Sequence, residues 1–222
     1  MLVCFIGPAV FTVGIGYGDA IGRSFTKTLR NTGYKGDLVV ATGSKLGKEV
    51  SSVLKNDLLQ LNKTVQSARA IVYPVALTCM GDDGVVRNYT RCRFREHDEK
   101  HAIHPVPISM IRLYMYKWWA TMYKRNATIL IADFRDVIFQ SNPFIYRRHT
   151  WAPESGVDLT VFQDAYPMKA IERSVDVSGW LEKCYGHAVL TRLGSNVVSN
   201  SGVVMGSRDG VLVYVSIVCC IL

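Results

Sequence analysis

The chain has 222 residues, long enough for one domain with a sizeable core. Apolar residues at 49% and charged residues at 20% exclude a disordered or low-complexity protein, and no internal repeat is present. The net charge of +8 draws anions, whether a phosphate-bearing substrate, nucleic acid or an acidic membrane surface, but does not choose among them.

The basic residues are spread along the chain, and "YRRH" at 146–149 is only a short cluster. A solvated basic surface therefore explains the surplus as well as a ligand does. The spread also counts against a nucleic-acid-binding protein, which gathers its basic residues on one face.

The N-terminal "MLVCFIGPAVFTVGIGYG" is apolar but lacks a basic flank. It reads as a poor signal peptide or anchor over 1–10, with its second half, 11–17, as a first core strand. Residues 18–36 suit a helix that stops at Gly33. "DLVVATG" (37–43) suits a second strand. A helix is expected over 45–67, where Val50, Val53, Leu54, Leu58 and Leu61 fall at helical spacing. "AIVYPVAL" (70–77) suits a third strand, and the polar, turn-rich 79–106 a long loop or lid.

Six cysteines form no CxxC pair, so a zinc knuckle is not expected. Cys79 and Cys92 flank "MGDDGVVRNYTR" and can bridge it. Acceptor sequons begin at Asn62, Asn88 and Asn126. Together these features lean toward the secretory pathway, with free thiols in a cytosolic protein as the alternative.

In "PISMIRLYMYKWWATMYKR" (107–125), Ile108, Ile111, Met115, Trp118 and Met122 repeat every three or four residues. A core-facing amphipathic helix follows, with Pro107 in its first turn. "ATILIAD" (127–133) is continuously apolar up to its acid, as a strand covered on both faces would be. Further strands are expected at 158–163 and in "SNSGVVMGS" (199–207), and a helix or turn in "SVDVSGWLEKCYG" (174–186). The last apolar stretch, "VLVYVSIVCCIL", is too short to span a bilayer comfortably. This alternation predicts an α/β fold: a mostly parallel central sheet flanked by helices. In such sheets ligands bind beyond the carboxyl ends of the strands, where Asp133 and Asp136 fall.

Three phosphate-type patterns fail. "GIGYGD" (14–19) has Asp19 where the dinucleotide fingerprint needs its last glycine. "GSKLGKE" (43–49) is one residue short of a phosphate-binding loop and carries Glu49 where a hydroxyl should hold magnesium. In "IADFRDV" the position of a phosphatase acid is occupied by Arg135. A divalent metal with a diphosphate remains. Mg²⁺ and Mn²⁺ prefer carboxylate oxygens and share their shell with phosphates, and Arg135 can neutralise phosphate or pair with a neighbouring aspartate. The plainer alternative is that Asp133 caps the turn and Arg135–Asp136 is a surface ion pair.

"ILIADFRDVIFQSNPF" (129–144) resembles the DxD region of the GT-A-fold nucleotide-diphospho-sugar transferases. There an apolar strand leads into the acidic motif and then a segment ending in Pro-Phe. Residues 11–42 resemble the opening strand, helix and strand of that family, 111–133 the helix feeding the DxD strand, and "VVSNSGVVMGS" the segment lining the donor and acceptor cleft.

The resemblance implies a Rossmann-like GT-A domain over 11–207 that moves a sugar from a nucleotide-diphospho-sugar to an acceptor hydroxyl. The acceptor class is a glycan, protein or small molecule, and no nucleic acid is expected. It implies Mn²⁺ or Mg²⁺ at Asp136, the second acid of the motif, and at Asp133. The family's first acid falls on Phe134, so Asp133 stands one residue early. Gly16, Tyr17, Gly18, Arg112 and Arg135 would bind the donor, and Asn200, Ser201 and Gly202 would approach the sugar. Gly16 and Gly18 also suit a plain turn, Asn200 a turn residue and Arg112 a solvated helix charge. No base stands out among Glu172, Asp164 and Asp176. The same reading expects the secretory pathway, in the Golgi, with membrane association through a missing or poor N-terminal anchor.

In the family the chain continues with helices and often a metal-binding histidine. Here 208–222 reads as an atypical apolar tail, so an incomplete or truncated domain is expected. A degenerate, non-catalytic relative that only binds its ligand is the alternative function.

Overall fold

In the computed structural model, the structure describes residues 5–43, 69–75, 77–80, 91–94, 106–145, 159–163 and 170–221. The expected helix over 45–67, the sequons at Asn62 and Asn88, and Asp164 lie outside them.

A six-stranded sheet forms the centre. Its strands are β1 (Ala9–Val13), β2 (Asp37–Gly43), β3 (Arg69–Val75), β7 (Thr128–Ala132), β8 (Leu159–Gln163) and β9 (Ser199–Ser207), in the order β3-β2-β1-β7-β9-β8. The first four in that order run parallel; β9 is antiparallel to both β7 and β8. β4 (Leu77–Met80), β5 (Arg91–Phe94) and β6 (Val106–Pro107) make a small antiparallel sheet. The described helices are α1 (Asp19–Asn31), α2 (Ile108–Thr121), α3 (Val175–Tyr185), α4 (His187–Leu193) and α5 (Arg208–Ile221), with a 3-10 turn at Ile171–Arg173.

The mostly parallel α/β architecture follows from the apolar strand runs. All five residues of β7 are buried, because successive side chains enter opposite layers. Phe11, Val39, Ile129 and Ile131 join Ile111, Met115 and Trp119 of α2 and Val211 and Val215 of α5. Val10, Leu38, Val40 and Leu130 join Phe25 and Leu29 of α1 on the other face. Each fully buried aliphatic side chain contributes about 1.5–3 kcal/mol, so this two-sided core dominates the fold.

Several expectations shift. The first strand is 9–13 rather than 11–17, and Ile15–Gly16 is a turn. α1 ends at Asn31, two residues before Gly33. The third strand divides between sheets, β3 in the large one and β4 in the small one. The stretch read as a lid contains β5, whose Cys92 stands opposite Cys79 and is disulfide-bonded to it. In α2 the buried tryptophan is Trp119, not Trp118, which is 49% exposed. The apolar C-terminal segment is a helix, α5, with Val211 and Val215 buried against α2.

The end of the sheet where β2 begins is closed by a polar knot. Arg69 grips Asp37 through Nε at 2.8 Å and Nη2 at 2.5 Å, and the Tyr123 hydroxyl donates to Asp37 Oδ2 at 2.7 Å. Arg69 also stacks over Phe5, 4.0 Å from the ring centre. The knot pairs a buried carboxylate on β2 and ties β2, β3 and the end of α2 together, so its role is structural.

Candidate functional site

β1 lies between β2 and β7, so the chain leaves β1 toward one side and returns at β7 on the other. At such a switch point the loops diverge and leave a crevice beyond the strand ends. A cavity of about 240 Å³ sits there. Val13, Ile15 and Tyr17 line it from the end of β1, Asp133 to Asp136 from the end of β7, and Ser109, Arg112 and Tyr116 from α2.

The turn after β7 sorts its side chains. Phe134 is buried among Tyr17 and Phe25, with ring centres 6.3 and 5.3 Å away. It lies so close to Gly14 that a Cβ there would stand 2.8 Å from its Cε1. An acid at 134 would sit in that apolar cluster. The carboxylates that line the cavity are those of Asp133 and Asp136.

Two ion pairs organise the polar wall. Arg112 Nη1 donates to Asp133 Oδ1 at 2.5 Å. Arg135 holds Asp136 with two bonds of 2.7 Å, Nε to Oδ1 and Nη2 to Oδ2. That two-pronged bond holds the Asp136 carboxyl below the usual carboxylate range and raises the guanidinium of Arg135. Asp133 is further fixed by its backbone N–H, which donates to the Gly202 carbonyl at 2.7 Å. Gly202 N–H in turn donates to Asn200 Oδ1 at 2.6 Å. Burial raises the hydroxyl pKa of Tyr116 and of Tyr214 on α5, the latter within electrostatic reach of both Arg112 and Asp133.

Five residues expected from sequence thus meet in one cavity: Tyr17, Arg112, Asp133, Arg135 and Asp136. Gly16 and Gly18 are exposed beside it and shape the turn into α1; Gly16 has φ +84°, which a side chain would resist. Of the β9 segment, Gly202 touches Asp133, whereas Ser201 is exposed and Asn200 acts through Gly202. Glu172 packs against Gly194, and Asp176 is exposed in the first turn of α3; neither lines the cavity. Ser109 and Tyr116 were not expected. Their spacing from Arg112, three residues before and four after, is the signal that joins them to one helix face.

Among the described residues no group of three or more His, Cys, Asp and Glu side chains converges. Two carboxylates still fit a magnesium- or manganese-type ion, which takes one or two protein oxygens and completes its shell with water and phosphate. Two guanidiniums in the same wall fit the phosphate oxygens. No protein-family model matches the chain, and no curated protein matches it.

Proposed function

We propose that the protein is a metal-dependent glycosyltransferase of the GT-A type, Rossmann-like in its nucleotide-binding half. It would move a sugar from a nucleotide-diphospho-sugar donor to an acceptor hydroxyl. The observation that supports this reading is the convergence of Asp133, Asp136, Arg112 and Arg135 in one cavity at the switch point of the sheet.

Asp136 and Asp133 would hold Mn²⁺ or Mg²⁺, which when bound offsets the charge that builds on the leaving diphosphate. Arg112 and Arg135 would bind phosphate oxygens and orient the donor. Tyr17, half-buried at the rim, offers a ring face to the base or ribose. Gly202 leaves room at Asp133 for the carboxylate, and Asn200 fixes the Gly202 backbone. The Cys79–Cys92 disulfide and the sequon whose Asn126 is exposed support an oxidising, secretory location such as the Golgi. No helix among the described residues is long and apolar enough to cross a membrane.

Both acids are already ion-paired, which favours one competing reading: a degenerate GT-A-like domain that binds its ligand without turnover. Donor hydrolysis and transfer with and without Mn²⁺ separate the two. The enzyme reading expects metal-dependent turnover that Asp136→Ala abolishes. Turnover unchanged by that substitution defeats the assignment, and binding without turnover supports the competing one.

A further inference from the structure

The two ion pairs of the cavity are held very differently. Arg112 and Asp133 are 29% and 33% exposed, and Asp133 is anchored through its backbone to Gly202. Arg135 and Asp136 are 57% and 60% exposed and are neighbours on one turn. Their mutual bonds engage both carboxylate oxygens and two guanidinium nitrogens. A cation approaching Asp136 must compete with Arg135 for those oxygens. An anion approaching Arg135 must compete with Asp136 for those nitrogens. Each ligand removes the other's competitor.

We infer that Arg135–Asp136 is an exchange pair. A divalent cation takes Asp136, a diphosphate takes Arg135, and each raises the affinity for the other. The inference rests on the diphosphate reading above and adds to it a defined coupling. Coupling of this kind is reciprocal: the factor by which the cation favours the anion equals the converse factor. An exposed ion pair opens at little cost, so the exchange adds selectivity for the combined ligand without closing the site to it.

The test is calorimetric titration of the full chain with Mn²⁺ alone, inorganic pyrophosphate alone, and preformed Mn²⁺–pyrophosphate. The proteins are wild type, Arg135→Gln, Asp136→Ala and the double variant. Wild type is expected to bind the complex more tightly than either component. Arg135→Gln should bind Mn²⁺ alone about two- to fivefold more tightly, the ordinary worth of an exposed ion pair, and the complex more weakly. The gain in Mn²⁺ affinity should vanish in the double variant, which isolates the pairwise interaction. If wild type binds the complex but Arg135→Gln gains no affinity for Mn²⁺, the exchange is wrong and the diphosphate reading stands. If wild type binds neither the complex nor its components, the diphosphate reading fails and takes the exchange with it.

Discussion

Asp133 and Gly202 are fitted to each other: the Asp133 N–H donates to the Gly202 carbonyl at 2.7 Å, and a Cβ on Gly202 would lie 2.6 Å from Asp133 Oδ2. A side chain at 202 must therefore displace the carboxylate from Arg112 or bend β9. Gly202→Ala is expected to cost about 1–3 kcal/mol of stability through overpacking. It should also weaken Mn²⁺-dependent donor binding by about tenfold or more, as the loss of an orienting contact around a metal ligand does. Thermal unfolding and donor titration of the same variant check both effects.

Phe134 divides the acidic turn into a buried and a cavity-facing part. Its ring bridges Tyr17 and Phe25 under Gly14. Phe134→Ala should destabilise by about 3–5 kcal/mol. Phe134→Asp, which restores the familiar spacing of two acids, should destabilise more, because it adds an unpaired charge to an apolar cluster. Urea denaturation of the two variants checks the order. A stable, active Phe134→Asp protein would contradict the buried placement.

Two adjacent tryptophans in α2 behave oppositely. Trp119 is fully buried, with Phe11 and Tyr73 5.6 and 5.4 Å away, whereas Trp118 is 49% exposed. Trp119→Ala should cost about 3–5 kcal/mol. Trp118→Ala should cost clearly less, since about half of that side chain already faces water. Equal losses in denaturant unfolding would contradict the orientation of α2.

These tryptophans also mark where the sequence is legible and where it is not. β2 and β7 can be read directly, because a strand covered on both faces carries an unbroken apolar run, here 38–41 and 129–132. The α2 stripe can be read as helical, but its phase is ambiguous where two large apolar residues adjoin. β5 hides in a polar stretch because it alternates: Arg91 and Arg93 are exposed while Cys92 is buried. α5 hides for the opposite reason, being apolar on exposed positions such as Val213 and Ile217 as well as on Val211 and Val215. The acids of the site stand out after an apolar strand. Ser109 and Tyr116 do not, because a helix residue beside a cavity has the same local pattern as one in a core.

The polar knot predicts an alkaline limit. Burial, reinforced by the neighbouring Asp37, pushes the Tyr123 hydroxyl far above the ordinary tyrosine value, and burial does the same to Tyr116. A hydroxyl whose pKa is raised in the folded state favours folding fully below its unfolded value of about 10. Above that pH the unfolded chain loses the proton first, so stability falls as pH rises through the folded pKa. Unfolding free energy should be flat in this respect up to about pH 9 and drop beyond pH 10. Tyr123→Phe should be less stable at neutral pH, having lost its bond to Asp37, and should drop less steeply. A wild-type curve that stays level above pH 10 would contradict the buried state of both hydroxyls.

The proposed site stands or falls on whether Asp136 and Asp133 hold a divalent metal against a sugar-nucleotide diphosphate. The most direct measurement is calorimetric titration of wild type and Asp136→Ala with a panel of nucleotide sugars, each with and without Mn²⁺. At least one donor is expected to bind wild type in a Mn²⁺-dependent manner, and Asp136→Ala is expected to lose that dependence while remaining folded. Binding of every donor that is indifferent to Mn²⁺, or no binding of any, would contradict it.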